Sequence, residues 1–156
     1  MFLPAATALE GELYMIKKIL LAFDGSENAL RAAKFAVDLQ QSIPEAQCTI
    51  ITVASFTKDE AEFLGVSEAE FDNALLNNTE RIMHGAVELF KSAGLTVEKV
   101  ALQGDIADNI AKYAGEHGFD LIVIGTRGLG KVKGMLLGSV SNKVIHLAHC
   151  PVIVIK

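Results

Sequence analysis

Short apolar runs alternate along this chain with longer stretches in which apolar residues recur at helical spacing. The short runs predict five strands, over residues 19–23, 48–54, 95–102, 121–124 and 151–155. The longer stretches predict four helices, over residues 27–41, from Ser67 to Gly94, from Asp105 to His117, and from Ser139 to about His149. Residues 55–66, which lie between the second strand and the Ser67 helix, are predicted to form an unusually long loop.

The alternation of strands and helices predicts an open parallel sheet with helices on both faces. The run 121–124 is wholly apolar, which indicates a strand covered on both faces. A length of 156 residues fits one domain and is enough to bury a full core. The chain is therefore expected to form a single α/β domain.

Residues 1–14 are interpreted as an N-terminal extension, and the domain itself is expected to span residues 15–156. The extension contains Glu10 and Glu12 and lacks the basic start of a signal peptide. Met15 opens a Met-Ile-Lys-Lys sequence that looks like a second, natural start. The first 14 residues are therefore predicted to come from a tag or from the choice of start site.

The charge balance excludes some classes of partner. The chain has 14 basic and 19 acidic residues, a formal net charge of −5, which is unlike the basic footprint of a protein that binds nucleic-acid backbones. No apolar run approaches the length of a membrane span. Cys48 and Cys150 are too few for a disulfide scaffold and are interpreted as inert. We expect a cytoplasmic protein with no nucleic-acid or membrane partner.

Two segments follow predicted strands and carry suggestive chemistry. Asp24 and Gly25 follow the first strand, and a glycine-rich stretch from Gly125 to Ser139 follows the fourth. Ligands of open parallel sheets bind at the carboxyl ends of strands, and helix N-termini favour anions. The glycine-rich stretch is neither a Walker loop nor a dinucleotide fingerprint. The residues alone therefore leave a phosphate site and a merely flexible loop equally open.

A resemblance to a known family favours the phosphate site. The spacing Gly125-x2-Gly128-x9-Gly138-Ser139 is similar to the ATP-binding pattern of the universal stress protein family. The opening strand through Ser26 and the closing Cys150-Pro151 sequence resemble that family too. The resemblance implies five parallel strands in the order 3-2-1-4-5, flanked by four helices, in the adenine nucleotide alpha hydrolase-like fold.

The resemblance also implies a ligand, a site and a partner. The ligand is ATP or another adenine nucleotide, with Mg²⁺ or Mn²⁺ accompanying the phosphates. Asp24 is expected to contact the nucleotide, Val53 to pack against adenine, and the glycine-rich stretch to hold ribose and phosphates. The full set of expected contacts is Ala22, Asp24, Val53, Gly125, Arg127, Gly128, Gly138, Ser139, Val140 and Ser141. Ala22 stands where some relatives carry proline. The apolar strand 152–155 is expected to pair with its copy in a homodimer, the alternative being cover by residues 1–14.

Several functions remain open on this sequence. The favoured one is a nucleotide-dependent sensor or regulator in stress response, with no catalytic residue and no metal ligand from the protein. The alternatives are a slow metal-dependent ATPase or autophosphorylating protein, and a dimeric stress factor that has lost nucleotide. A flavodoxin-like mononucleotide binder is the related alternative fold. His146, His149 and Cys150 share a region but are not interpreted as a metal site, and Ser139 lacks the surroundings of a nucleophile.

Overall fold

The computed structural model describes residues 15–127, 134 and 136–156. Within these ranges the chain forms five strands and five helices. The strands are β1 (Lys18–Ala22), β2 (Gln47–Ala54), β3 (Val97–Gln103), β4 (Leu121–Gly125) and β5 (Val152–Ile155). The helices are α1 (Glu27–Ser42), α2 (Lys58–Phe63), α3 (Glu68–Ser92), α4 (Ile106–Glu116) and α5 (Ser139–Leu147).

The five strands form one parallel sheet in the order β3-β2-β1-β4-β5, which confirms the predicted architecture. The central strand β1 pairs with β2 on one side and β4 on the other, so that Leu20 lies beside both Thr49 and Ile122. The strand order reverses between β1 and β4, because β1 leads to β2 on one side and β4 leads to β5 on the other. Ligand sites of open α/β sheets occur at this point, outside the carboxyl ends of the strands.

Two apolar layers cover the sheet, because successive side chains of a strand point to opposite faces. On one face, Ile19 and Leu21 of β1 pack with α1 and α3, whose buried residues include Ala33 and Phe90. On the other face, Leu20 packs with α4 and α5. Four of the five described helices therefore lie in pairs on the two faces, α1 with α3 and α4 with α5.

The predicted helix starts are confirmed where a polar side chain caps the helix. Ser26, Ser67 and Asp105 each accept a hydrogen bond from a backbone N–H in the first turn of the helix that follows. At Ser67 the cap is a complete capping box, since the Glu70 side chain also accepts from the Ser67 N–H. The caps explain why the sequence located these helices closely.

The prediction of an uninterrupted loop over residues 55–66 is wrong, and so is the count of four helices. Helix α2 lies within that segment and begins with a second capping box, between Thr57 and Glu60. The backbone N–H of Lys58 also donates to the Gln103 side chain at 2.6 Å. The cap and this tertiary bond hold a helix that is too short to show a hydrophobic period in the sequence.

Other boundaries shift by one or two residues. Strand β3 begins at Val97, and helix α5 ends at Leu147, because Ala148 is extended and leads to Cys150-Pro151. None of the helices in the described ranges is both long enough and apolar enough to cross a bilayer.

Candidate functional site

A tight turn closes the carboxyl end of β1. Gly25 has a φ of +81°, a left-handed conformation that favours glycine. Oδ1 of the half-buried Asp24 accepts from the Ser26 N–H at 2.9 Å, and Ser26 Oγ accepts from the Ala29 N–H at 3.2 Å. One carboxylate oxygen of Asp24 therefore shapes the turn, as an acid at such a position ordinarily does. The same turn places the carboxylate at the switch in strand order.

The end of β4 lies directly against the start of α1. A Cβ at Gly125 would lie 2.9 Å from the Asn28 carbonyl carbon and 3.1 Å from the Ala29 nitrogen, so a side chain does not fit there. The Asn28 side-chain amide donates to Thr126 Oγ1 at 3.2 Å. Close approach of two backbones is thus the physical reason for the first glycine of the predicted loop.

Helix α5 has an open N-terminus. Its N-cap is Gly138, with no side-chain cap and no acidic residue in the first turn. Each of the other four described helices has both a side-chain cap and an acid in its first turn. The first-turn N–H groups of a helix have no acceptor within the helix. At α5 these groups, together with the positive end of the helix dipole, can therefore bind an anion.

The Thr126 carbonyl fixes this terminus against β4. It accepts from the Gly138 N–H at 2.6 Å and from Ser141 Oγ at 2.8 Å. Gly138 also has little room for a side chain, because a Cβ there would lie 3.2 Å from the same carbonyl oxygen. The two ends of the glycine-rich stretch are thus held together. Its first residue, Gly125, lies against the first turn of α1, and its last residue, Ser139, begins α5.

The structure brings most of the predicted site residues to this edge. Ser139, one of the expected nucleotide contacts, is the exposed first residue of α5, and the N-cap position before it belongs to Gly138. Ser141 is buried, and its hydroxyl lies within hydrogen-bond distance of the Thr126 and Gly138 carbonyls, to which it can donate. Arg127 is exposed at the start of the loop, whereas Gly128 lies outside the described residues.

The residues expected near the base lie on the face of the sheet that α4 and α5 cover. Ala22 is buried in that apolar layer, and Val53 and Val140 are half-buried against it. The α5 terminus belongs to the same layer, so the expected base and phosphate contacts lie on one face. Three further residues, Ser26, Asn28 and Thr126, shape the edge but were not predicted as site residues; the Asn28–Thr126 bond joins residues 98 apart in sequence.

One ion-pair cluster anchors α5 to α4. Lys143 Nζ lies 3.1 Å from a carboxylate oxygen of Asp105 and of Asp108. The hydrogen bonds to these two carboxylates raise the pKa of Lys143, so the amine stays charged. The pKa of Asp105 is lowered, chiefly by the Asp108 N–H that it accepts from and then by Lys143. Helix α5, which carries the candidate anion site, is thus held both by these ion pairs to Asp105 and Asp108 and by the hydrogen bonds to the Thr126 carbonyl.

The described residues contain no cluster of three or more His, Cys, Asp or Glu side chains that could hold a metal ion. His146 instead forms a 2.8 Å hydrogen bond through Nδ1 to the Asn142 carbonyl.

Comparison with known proteins points to one family. The sequence profile described as the universal stress protein family matches residues 15–156. This chain belongs to the universal stress protein family. Among curated relatives, the universal stress protein YxiE of Bacillus subtilis is 32% identical over 149 residues, with 91% of this chain and all of the relative covered. A universal stress protein of Thermus aquaticus is 38% identical over 143 residues, with the same coverage of both chains.

Solved structures of the family share the fold of this universal stress protein. MJ0577 of Methanocaldococcus jannaschii has a TM-score of 0.78 and 29% identity, covering 91% of this chain and 96% of its own. A universal stress protein solved in complex with cAMP has a TM-score of 0.68 and 26% identity, covering 91% and 98%. The universal stress protein from Archaeoglobus fulgidus in complex with dAMP, at 23% identity and a TM-score of 0.66, is similar in fold.

Proposed function

We propose that this universal stress protein binds an adenine nucleotide, ATP in the first place, and acts as a homodimeric nucleotide-dependent regulator. The observation that carries the proposal is the uncapped, acid-free N-terminus of α5, held against the end of β4. A related structure with bound cAMP supports an adenine nucleotide as the ligand. The close packing at Gly125 and the tight space at Gly138 fix the two ends of the glycine-rich stretch beside this terminus.

The two halves of the nucleotide are assigned by charge. The N–H groups of Ser139, Val140 and Ser141 bind phosphate oxygens, with Gly125, Arg127, Gly128 and Gly138 completing the loop around ribose and phosphates. A carboxylate repels phosphate, so Asp24 contacts the adenosine half. Val53 and the backbone at Ala22 pack against that half from the carboxyl ends of β2 and β1. Ordering of the loop by phosphate is the step through which nucleotide changes the protein.

Mg²⁺ or Mn²⁺ accompanies the phosphates in this proposal, because a triphosphate carries more negative charge than the α5 terminus and Arg127 neutralise. The described residues do not form a protein cage for such an ion, so its ligands are phosphate oxygens and water. The ion neutralises charge and orients the phosphates.

Strand β5 supports the homodimer. It forms the edge of the sheet, and all four of its apolar side chains are half-buried. A short, purely apolar edge strand is an open template for another strand. A two-fold axis beside β5 places the same strand of a second subunit against it, antiparallel.

The deciding experiment identifies the ligand and then removes its site. Nucleotide extracted from freshly purified protein is identified by mass spectrometry, and ATP affinity is measured by calorimetry with Mg²⁺. Gly138→Val, and equally Gly128→Val, is expected to abolish binding with the circular dichroism spectrum unchanged. Gly115→Val is the matched control for Gly138→Val, because a Cβ at Gly115 meets only His149 Cδ2, at 3.5 Å. Unchanged affinity of both loop variants would contradict the assigned site.

Regulator and enzyme are separated by turnover. Stoichiometric bound nucleotide with negligible phosphate release, measured with and without Mg²⁺, supports the regulator. Rapid metal-dependent release or label transfer from γ-phosphate to the protein would support the ATPase or autophosphorylating protein instead.

A further inference from the structure

Helix α2 presents a second concave surface at the carboxyl side of β2. We call it the α2 groove and define it by Phe56, Asp59, Glu60, Phe63 and Leu64, which line a depression of about 420 Å³. Phe63 is 90% exposed, Leu64 is 67% exposed and Phe56 is 45% exposed. Clustered large apolar side chains at such exposure mark interaction surfaces, whereas single ones are ordinary.

The groove is held in a fixed shape. The Thr57 capping box begins α2, and the Lys58 N–H donates to the Gln103 side chain. Lys58 Nζ forms ion pairs with Glu68 and Asp72 of α3. Behind the groove, the ring of Phe56 contacts that of the buried Phe71, with centroids 6.3 Å apart. Phe63 and Leu64 are thus displayed by an anchored helix rather than by a loop that could fold them inward.

The net negative charge of the chain is concentrated in the segment that contains this groove. Residues 55–72 contain six of the 19 acidic residues and one of the 14 basic residues, a net charge of −5. The formal net charge of the full chain is also −5, so the remainder is balanced. The six acids are Asp59, Glu60, Glu62, Glu68, Glu70 and Asp72.

Helix capping explains only part of this acidity. Glu60 and Glu70 complete capping boxes, which lowers the pKa of each carboxyl and keeps it ionised at neutral pH. Glu62, by contrast, lies in the last turn of α2, where a negative charge opposes the helix dipole. Asp59 and Glu60 line the groove and form its acidic rim, and Glu62 adds an exposed negative charge on the same helix.

We propose that the α2 groove docks a basic amphipathic segment of a partner protein, helical when bound. Its apolar face covers Phe56, Phe63 and Leu64, and its lysines and arginines face the acidic rim. The charge selects this occupant over others. Phosphate ligands and anionic lipid surfaces are repelled by the rim, and residues 1–14 of this chain contain Glu10 and Glu12 but no basic residue.

The test uses the full chain and a labelled peptide of about 18 residues with leucine and lysine at amphipathic helical spacing. Fluorescence anisotropy is expected to show saturable binding of this peptide. It should show none for a peptide of the same composition in scrambled order, nor for one with glutamate in place of lysine. Raising the salt concentration is expected to weaken binding, because the rim charges are exposed and screened.

Matched variants separate the groove from general acidity. Phe63→Ser with Leu64→Ser is expected to weaken binding by about tenfold or more, and Ile145→Ser, an exposed apolar site on α5, to leave it unchanged. Asp59→Asn with Glu62→Gln should weaken binding, whereas Glu45→Gln with Glu98→Gln should not. Equal binding of ordered and scrambled peptides, or equal effects of the paired variants, would overturn the proposal. So would self-association that Phe63→Ser abolishes without peptide binding, since the occupant would then be a second copy.

Discussion

The side-chain amide of Asn28 donates to the Thr126 hydroxyl at 3.2 Å, joining the first turn of α1 to the first residue after β4. Immediately before that threonine, Gly125 lies against the backbone of Asn28 and Ala29. The carbonyl of Thr126 in turn holds the start of α5 through Gly138 and Ser141. One residue thus connects two helix N-termini at the proposed nucleotide site, and the geometry there depends on close packing.

The packing at Gly125 predicts a costly substitution. Gly125→Ala places a Cβ 2.9 Å from a backbone carbon of α1, and that helix must shift to accept it. We expect the free energy of unfolding to fall by about 1–3 kcal/mol, the range for overpacking a well-packed site. Urea denaturation followed by circular dichroism measures it. Gly115→Ala, where the new Cβ makes only ordinary contact, should be neutral or stabilising. Equal effects of the two substitutions would contradict the steric argument.

The hydroxyl of Thr126 predicts a second, smaller effect. Thr126→Val keeps the shape of this buried side chain but removes the acceptor of the Asn28 amide. We expect a loss of about 1–2 kcal/mol in the free energy of unfolding, because a part-buried donor is left without its partner. Thr126→Ser retains the hydroxyl and serves as the control, since it should preserve more of that stability. If serine proves no better than valine in the same denaturation series, the hydrogen bond contributes nothing.

Local signals in the sequence, apolar runs and polar residues at N-caps, predicted the strands and most helix starts, whereas the sheet order came from the resemblance to a known family. The sequence analysis did not predict α2, although Thr57 and Glu60 have the same capping-box spacing as Ser67 and Glu70. Six residues are too few for an apolar period, and a helix of that length depends on tertiary contacts such as the bond to Gln103. The Asn28–Thr126 bond was unpredictable for a related reason, since only the folded sheet brings these residues together.

The acid side of the stability curve depends in part on Asp105. The pKa of Asp105 is lowered in the folded chain by the Asp108 N–H and by Lys143. In the unfolded chain the pKa of this carboxyl has its ordinary value of about 4. As the pH falls, the unfolded state therefore binds a proton at Asp105 before the folded state does. The stability that the ionised carboxylate contributes is fully present above the unfolded pKa and is lost as the pH falls through the lower, folded pKa. Asp105→Asn keeps a capping oxygen but removes the titration.

We expect thermal melts between neutral pH and about pH 3 to lose less stability for Asp105→Asn than for the parent chain. The difference should be partial, because Glu60, Glu68 and Glu70 also have lowered pKa values and remain in the variant. A pH profile identical to that of the parent chain would show that Asp105 makes no net contribution.

Burial predicts an unreactive thiol at Cys48. The side chain is 2% exposed, and desolvation raises its pKa to about 12, so almost no thiolate forms near neutral pH. A disulfide-exchange reagent at about pH 8 is expected to modify Cys150 slowly and Cys48 not at all in the native protein. In denaturant both should react at once. If the native Cys150→Ser variant, whose one remaining thiol is that of Cys48, still reacts rapidly, the burial of Cys48 is contradicted.

Strand β5 allows the proposed homodimer to be tested through one backbone N–H. The carbonyls of Pro151 and Ile155 accept from the Ile122 and Thr126 N–H groups, so these residues face the interior of the sheet. The backbone N–H and C=O groups of successive strand residues point to opposite sides of the strand. The N–H of Val154 is therefore directed away from β4, toward the open edge of the sheet. Proline is tolerated at an edge strand when its missing N–H faces away from the sheet. Val154→Pro should therefore fold but lose one of the outward-directed N–H donors that β5 offers to a partner strand, and a two-fold dimer loses it in both subunits.

We expect Val154→Pro to sediment as a monomer at concentrations where the parent chain is a dimer, with little change in its circular dichroism spectrum. Val154→Thr is the control, because it keeps both the N–H and the branched shape of valine and should remain dimeric. A parent chain that is monomeric throughout would contradict the homodimer, and a proline variant that still dimerises would place the association on another surface.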